Sequence, residues 1–381
     1  MVLKTIRSQR AGAGAGAGAG VAAGGGRGTA LRLVDVDRRS KKLSPNQETL
    51  RVLRAFPGPI YPVCVTGTAR RGKSALLNLL IPAEQRGDGA AFQVSDLTAA
   101  CTVGVWMWSL PIPLPGGRAG SIVLIDTEGT ERGDDAMLAK IIGLAVMLSG
   151  MVIFNVDRDI NNSSLNQLGI MTDIVKLVEG NKKATTVFPT LAVLIRNSQL
   201  QPVVPGRPAP APLDQYLQFV LDDDDEDKQN NPTRQAIRNN FVTRVLMEMK
   251  APTDNDLKEL DGKCTVAGLP DGAFKTSFLA VQRQIIELAV VAPKKAAEME
   301  LKTGEDYAVF AEGCIKLMQE KGKVEIHSMI TMIHHGRARA LVSRCVSTYG
   351  KQYRALLAQL AVEGEVIKLE NAAAVDLRPA L

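Results

Sequence analysis

The chain has 381 residues, 45% of them hydrophobic and 23% charged, which is enough apolar side chain for one large globular domain or two ordinary ones. Its net charge of +6 is unevenly spread: Lys4, Arg7, Arg10, Arg27 and Arg32 stand in the first 34 residues without a single acid. No basic stripe with interleaved aromatics follows, so a nucleic-acid partner is not expected. Five widely spaced cysteines (Cys64, Cys101, Cys264, Cys314, Cys345) form no Cys-x-x-Cys pair or Cys/His metal spacing, a usage that suits a reducing, cytoplasmic compartment.

Residues 11–26 are almost wholly Ala and Gly. Such a segment has too little apolar side chain to offset its chain entropy, and residues 1–30 read as a disordered tail. Gln47 to Phe56 carries Leu50, Leu53 and Phe56 at helical spacing, and Pro57-Gly-Pro59 ends it. Pro62 to Thr66 is a short apolar strand ending at Gly67, and Lys73 to Leu80 reads as a helix. Ser121 to Asp126 is a buried strand, Asp134 to Leu148 a helix, and Met151 to Val156 a strand. Ser163 to Val178 reads as a helix with Leu168, Met171, Val175 and Val178 on one face, and Thr190 to Ile195 is a further strand. Wholly apolar strands alternating with amphipathic helices predict a mostly parallel α/β sheet covered on both faces. The longest apolar stretch, Ile141 to Val156, is interrupted by Gly143, Ser149, Gly150 and Asn155 and falls short of the roughly 20 residues a bilayer requires.

Pro202 to Pro212 must be a loop. The acids from Asp222 to Asp227 read as a solvated loop, because consecutive carboxylates cannot all converge on one ion. After Pro232 the chain looks mostly helical, with Lys275 to Val291, Glu305 to Glu320 and Val324 to about residue 362 as the clearest helices. His327, His334 and His335 lie in the last of these and read as packing or surface residues rather than a metal site. The domain reading is a tail over 1–30, a large domain over 31–340 and a short C-terminal helical segment over 341–381.

The chemistry concentrates at Gly67-Thr68-Ala69-Arg70-Arg71-Gly72-Lys73-Ser74, followed by Ala75. This Gly-x-x-x-x-Gly-Lys-Ser run follows an apolar strand and opens an apolar helix, the context the motif requires. Glycines let backbone N–H groups curl around phosphates, the helix N-terminus adds partial positive charge, Lys73 reaches the terminal phosphates, and the Ser74 hydroxyl is placed to ligate Mg2+. A second element, Asp126-Thr-Glu-Gly129, closes the next strong strand. Asp126 can hold a water of the Mg2+ shell there, and the Gly129 N–H can approach a γ-phosphate. Between the two, Thr102 is the favoured residue to complete the metal shell, with Thr98 as runner-up.

These residues resemble the guanylate-binding protein and atlastin family of large, dynamin-like GTPases. The likeness runs through the phosphate loop with its inner Arg70, Thr102-Val-Gly-Val-Trp106-Met-Trp108, Asp126-Thr-Glu-Gly129, Gly143 to Ser149, Ile160-Asn161 and Asn166-Gln-Leu168. It implies a P-loop NTPase large G domain, with GTP as substrate, Mg2+ as cofactor and hydrolysis activated when two copies pair through their nucleotide faces. It also implies that Arg70 is an internal arginine finger and that peripheral membrane association is a partner mode.

Two positions depart from the family pattern. The family reads guanine with an Arg-Asp pair at a strand end, and the matching residues here are Arg196 and Asn197. A carboxylate accepts from both guanine N1–H and N2–H2, whereas an amide offers one acceptor and one donor group. That mismatch predicts relaxed base preference unless a neighbouring acid takes the role. Ala100 stands where some relatives carry a Ser that helps position the attacking water. Together these keep open a second reading, a regulatory nucleotide-binding module with weak or no turnover.

Overall fold

Runs in which every side chain is apolar have no face to offer water, and they form the centre of this molecule. The computed structural model describes residues 26–37, 39–67, 72–86, 92, 104–127, 135–172, 178–179, 188–198, 201–261, 265–291, 301–320 and 324–362. The strands are β1 (Ala30–Asp37), β2 (Lys42–Pro45), β3 (Ile60–Gly67), β4 (Val105–Trp108), β5 (Ile112–Pro113), β6 (Ser121–Thr127), β7 (Met151–Asp157), β8 (Val178–Glu179), β9 (Thr190–Arg196), β10 (Arg244–Met249) and β11 (Val324–Glu325). The α-helices are α1 (Gln47–Arg54), α2 (Lys73–Leu80), α3 (Asp135–Leu148), α4 (Asn162–Thr172), α5 (Leu213–Leu221), α6 (Asn231–Asn240), α7 (Asp254–Asp261), α8 (Ala273–Val291), α9 (Gly304–Glu320) and α10 (Ile326–Val362).

Among the described residues a nine-stranded sheet runs in the order β10-β9-β7-β3-β6-β4-β1-β2, with β5 beside β6, and β8 and β11 form a small separate pair. Strands β10, β9, β7, β3 and β6 are parallel. The other edge, β4, β1 and β2, is antiparallel, as is β5. The period-2 alternation of side chains splits the core into two layers. Cys64, Val123, Val152, Phe154, Leu191 and Val193 face one layer, beneath Leu144 of α3, Leu165 of α4 and Phe310 of α9. Val63, Val65, Leu124, Ile153, Ala192 and Leu194 face the other, beneath Leu76 of α2 and Phe278 of α8. The result is the expected α/β P-loop fold, a sheet flanked by helices on both faces.

Several sequence expectations are corrected. The last residues of the segment read as a tail are tied to the fold: Gly28 N–H donates to Gln85 O at 2.8 Å, Thr29 N–H donates to Ser109 Oγ at 2.7 Å, and β1 starts at Ala30. Residues 1–25 lie outside the described residues. A register shift between Arg32 and Val34 breaks the alternation that would have marked β1 as a strand. The segment after Pro232 is not all helix, since β10 lies in it. Met247 and Met249 face one core layer and Leu246 the other, while Arg244 and Glu248 disguise the pattern. The helix expected over 163–178 is described only to Thr172, and Val178 pairs in parallel with Val324. The boundary drawn at residue 340 falls inside the single helix α10.

The acidic run does more than face solvent. Arg234, 5% exposed, donates from Nη2 to Asp227 Oδ2 at 2.9 Å and from Nη1 to Asn231 Oδ1 at 2.9 Å, and Arg238 Nη2 donates to Asp223 Oδ1 at 2.8 Å. The run thus ties α5 to α6. Among the described residues no His/Cys/Asp/Glu group of metal-holding size occurs, and no helix is long and apolar enough to cross a membrane.

Candidate functional site

In an open parallel sheet, ligands bind outside the carboxyl ends of the strands. Here the C-terminal ends of β3, β6, β7 and β9 carry the candidate residues. β3 ends at Gly67, whose φ is 131°, and an added Cβ there would stand 2.4 Å from Asn155 O on β7. Gly72, φ 74°, is the N-cap of α2. It has no side chain to cap the helix, and the first turn of α2 carries no acid of its own. Lys73, Ser74 and Ala75 form that first turn, and Lys73 is 6% exposed.

Ser74 Oγ donates to Asp126 Oδ2 at 2.7 Å. Asp126 is 2% exposed, and its buried Oδ1 has no hydrogen-bond partner among the described residues. Burial raises its carboxyl from the ordinary 3.8 to about 6, against the opposing effects of the Ser74 hydrogen bond and the Lys73 charge. An orphaned carboxylate oxygen beside a serine hydroxyl is a hard, all-oxygen donor pair. It fits Mg2+ with phosphate and water oxygens completing the shell. The sheet fixes this pair: Asp126 is in register with Val65 on β3 and Trp106 on β4. The Trp106 ring carries the Arg32 guanidinium at 4.9 Å. Trp108 is fully buried and donates from Nε1 to Gln85 Oε1 at 3.1 Å.

Arg196 and Asn197, the residues expected at the base, lie at the end of β9, two strands from β3. Arg196 Nη1 donates to Gly72 O at 2.7 Å, and a Cβ on Gly72 would stand 2.2 Å from that nitrogen. Burial lowers the Arg196 pKa, with the Asp157 carboxylate opposing. Arg196 therefore turns inward and braces the phosphate loop. Asn197, at φ 55°, follows β9 directly, and its Nδ2 donates to Asp157 Oδ1 at 2.8 Å. Asp157 ends β7 and is paired with Arg196 across the sheet. Sequence reading missed it. The available signal was an acid at the end of an otherwise apolar strand, in a sheet order that only the structure supplies.

The structure thus brings together Gly67, Gly72, Lys73, Ser74, Ala75, Asp126, Arg196 and Asn197. Thr68, Ala69, Arg70, Arg71, Thr98, Ala100, Thr102 and Gly129 lie outside the described residues. A cavity of about 320 Å3 opens elsewhere, between the C-terminal end of α2, β5, β6 and α8, with Leu80, Ile122 and Phe278 among its walls. It is not part of this site.

A glycine-rich loop between a parallel strand and a helix, with an Asp on the neighbouring strand against the helix's first turn, defines the P-loop nucleotide-binding class. The family described as "Guanylate-binding protein, N-terminal domain" matches residues 40–290, and the chain belongs to that family. Guanylate-binding protein 2 of Mus musculus is 31% identical over 55% of this chain and 37% of its own length. Guanylate-binding protein 1 of Mus musculus is 30% identical over 58% and 39%, and guanylate-binding protein 2 of Homo sapiens 30% over 55% and 37%. The chain therefore spans less than two fifths of these relatives. Among solved structures, translation elongation factor SelB from Methanococcus maripaludis, in complex with the GTP analogue GppNHp, is similar over 62% of this chain and 35% of its own, at 13% identity and TM-score 0.30. That likeness is too slight to carry an argument.

Proposed function

We propose that this chain binds GTP with Mg2+ and hydrolyses it, with turnover activated by nucleotide-dependent pairing of two G domains. The observation that carries the reading is the Ser74–Asp126 pair at 2.7 Å, with the second Asp126 oxygen buried and orphaned, at the mouth of a phosphate loop. Ser74, Asp126 and Thr102 would hold Mg2+, which when bound neutralises charge on the β- and γ-phosphates. Backbone N–H groups from Thr68 to Ala75 cradle the phosphates, and Lys73 neutralises them from inside the loop. The Gly129 N–H donates to the γ-phosphate. Arg70 enters as the transition-state cation when two copies meet, a contribution worth about 10^3 or more in rate. Arg196 holds the loop in shape through Gly72.

Membership in the family, and the match of residues 40–290 to its N-terminal domain, support this assignment. Phosphate release is measured over a protein concentration series at saturating GTP and Mg2+. Release per molecule that rises with concentration supports activation by pairing. Binding without release supports instead a regulatory module with weak or no turnover, the reading that Asn197 and Ala100 favour. Peripheral membrane association is a further proposal, tested by flotation with anionic vesicles in the presence of GTP and GDP.

A further inference from the structure

We infer that the cavity between the C-terminal end of α2, β5, β6 and α8 is a binding site for an amphipathic monocarboxylate, whose hydrocarbon chain lies inside and whose carboxylate pairs with Arg86. The site is separate from the phosphate loop, and the inference does not depend on the nucleotide reading.

The cavity follows from helices of unequal length. α2 has eight residues and α8 nineteen, so at about 1.5 Å per residue they run about 12 Å and about 28 Å. Pro82 ends the helical run. The residue before a proline is pushed out of helical backbone, and Ile81 is extended at ψ 128°. Beyond Leu80, α2 no longer fills the space between β6 and α8, and the cavity of about 320 Å3 lies there. Its floor is apolar: Ile122 and Leu124 of β6 and Phe278 and Ile285 of α8 line it and are buried. Ala83, Pro113 and Ala267 line it and are exposed, so its rim meets solvent. A cavity of roughly 150 Å3 with walls of this kind stays dry and takes up benzene. About twice that volume has room for about a dozen carbon atoms.

One group breaks the apolar lining. Arg86 is the sole charged residue among the described lining residues. Its backbone N–H donates to Pro82 O at 3.2 Å, while its side chain makes no hydrogen bond or ion pair among the described residues. Burial lowers its pKa, opposed by the charge of Glu84, which is itself exposed. A guanidinium short of partners at an apolar wall selects an anion, and its planar fork matches the two oxygens of a carboxylate. A neutral hydrocarbon would leave Arg86 unpaired. A compact anion such as phosphate would leave the walls uncovered. A chain ending in a carboxylate meets both.

The test is titration calorimetry of the full chain with decanoate, 1-decanol and decyltrimethylammonium. Decanoate should bind saturably and at least about ten-fold tighter than 1-decanol, the effect expected of a charge-assisted hydrogen bond, and the cation should not bind. Arg86→Gln should bring decanoate down to the affinity of 1-decanol and leave 1-decanol within about two-fold of wild type. Ile286 also lines the cavity, so Ile286→Trp fills it from α8 and should abolish binding of both. A melting temperature near that of wild type shows that this variant is folded. If it does not fold, Arg86→Gln, at a partly exposed position, decides alone. Three results each overturn the assignment: no saturable decanoate binding, equal affinity for decanoate and 1-decanol, or decanoate affinity that Arg86→Gln or folded Ile286→Trp leaves within about two-fold of wild type.

Discussion

Asp126→Asn separates what the site needs for stability from what it needs for metal. The substitution removes a negative charge from a residue that is 2% exposed, and it leaves a side chain of the same shape with an oxygen to accept from Ser74 Oγ. In the fold the carboxyl is raised from 3.8 to about 6 by burial. Between those values the folded chain holds the proton and the unfolded chain does not. Stability from this group is therefore present in acid and lost as pH rises through that window. At about 1.36 kcal/mol per pH unit, ionised Asp126 costs the nucleotide-free fold about 3 kcal/mol at neutral pH. For a folding unit of roughly 300 residues that is about 5 °C of melting temperature. Calorimetry without Mg2+ or nucleotide should find the variant melting about 5 °C above wild type at pH 8, with the gap closing towards pH 4. Adding Mg2+ and GTP should reverse the order, because in the proposed reading the ion takes a carboxylate that only wild type presents. Mg2+-dependent GTP binding by wild type should weaken as pH falls through about 6. A variant that melts below wild type at pH 8 without Mg2+, or a gap that does not change with pH, would refute the reasoning.

Gly72→Ala puts a methyl 2.2 Å from Arg196 Nη1 at a residue with φ 74°, so it should lower GTP affinity at least about ten-fold in a binding titration. Affinity equal to wild type would show that Arg196 does not brace the loop. Asp306 is pushed upward by burial, but Arg337 at 2.7 Å and the N–H groups of Lys302 and Thr303 hold its carboxyl below the usual range. Asp306→Ala removes one half of the capping box that Thr303 and Asp306 form at the start of α9, together with its tie to α10, and should destabilise by about 2 kcal/mol in urea unfolding at pH 7. That loss should shrink as pH drops below about 4, since a depressed carboxylate stabilises only while ionised. Of the three cysteines described, Cys345 is exposed while Cys64 and Cys314 are buried, and burial pushes the Cys64 thiol up. Alkylation of native protein followed by peptide mass analysis should therefore mark Cys345 before Cys64 and Cys314. Early labelling of Cys64 would contradict its place beneath the sheet.

The central sheet and the phosphate loop were readable from the chain because their signals are local. Strands such as Leu191 to Ile195 are apolar at every position, and Gly67 to Ser74 carries its strand–loop–helix frame within a dozen residues. What escaped depends on partners distant in sequence. β1 is a strand because β4 lies beside it, and its bulge at Arg32 to Val34 erases the alternation. β10 carries Arg244 and Glu248 because it is an edge strand with polar ends. The acids from 222 to 227 looked solvated because nothing in their own spacing reveals that Arg234 will be buried among them. Asn197 was found by position, and its departure from aspartate read as a loss. Its hydrogen-bond partner Asp157 lies 40 residues earlier, visible only once β7 and β9 are known to be neighbours.

The site as a whole is arranged for a charged ligand. Lys73, Asp126 and Arg196 are all largely withdrawn from water at one end of the sheet. Each loses hydration there, which shows as the raised carboxyl of Asp126 and the lowered guanidinium pKa of Arg196. Hydrophobic side chains in those positions would suit the empty fold better. Charges are retained at such places when a ligand supplies what water no longer does, and a nucleoside triphosphate with its metal brings both signs. The linkage runs both ways: at about 100 times its dissociation constant, a ligand that binds only the folded chain adds about 2.7 kcal/mol of stability. The cost of ionising buried Asp126 is of that same size, so a ligand that takes its carboxylate would offset it.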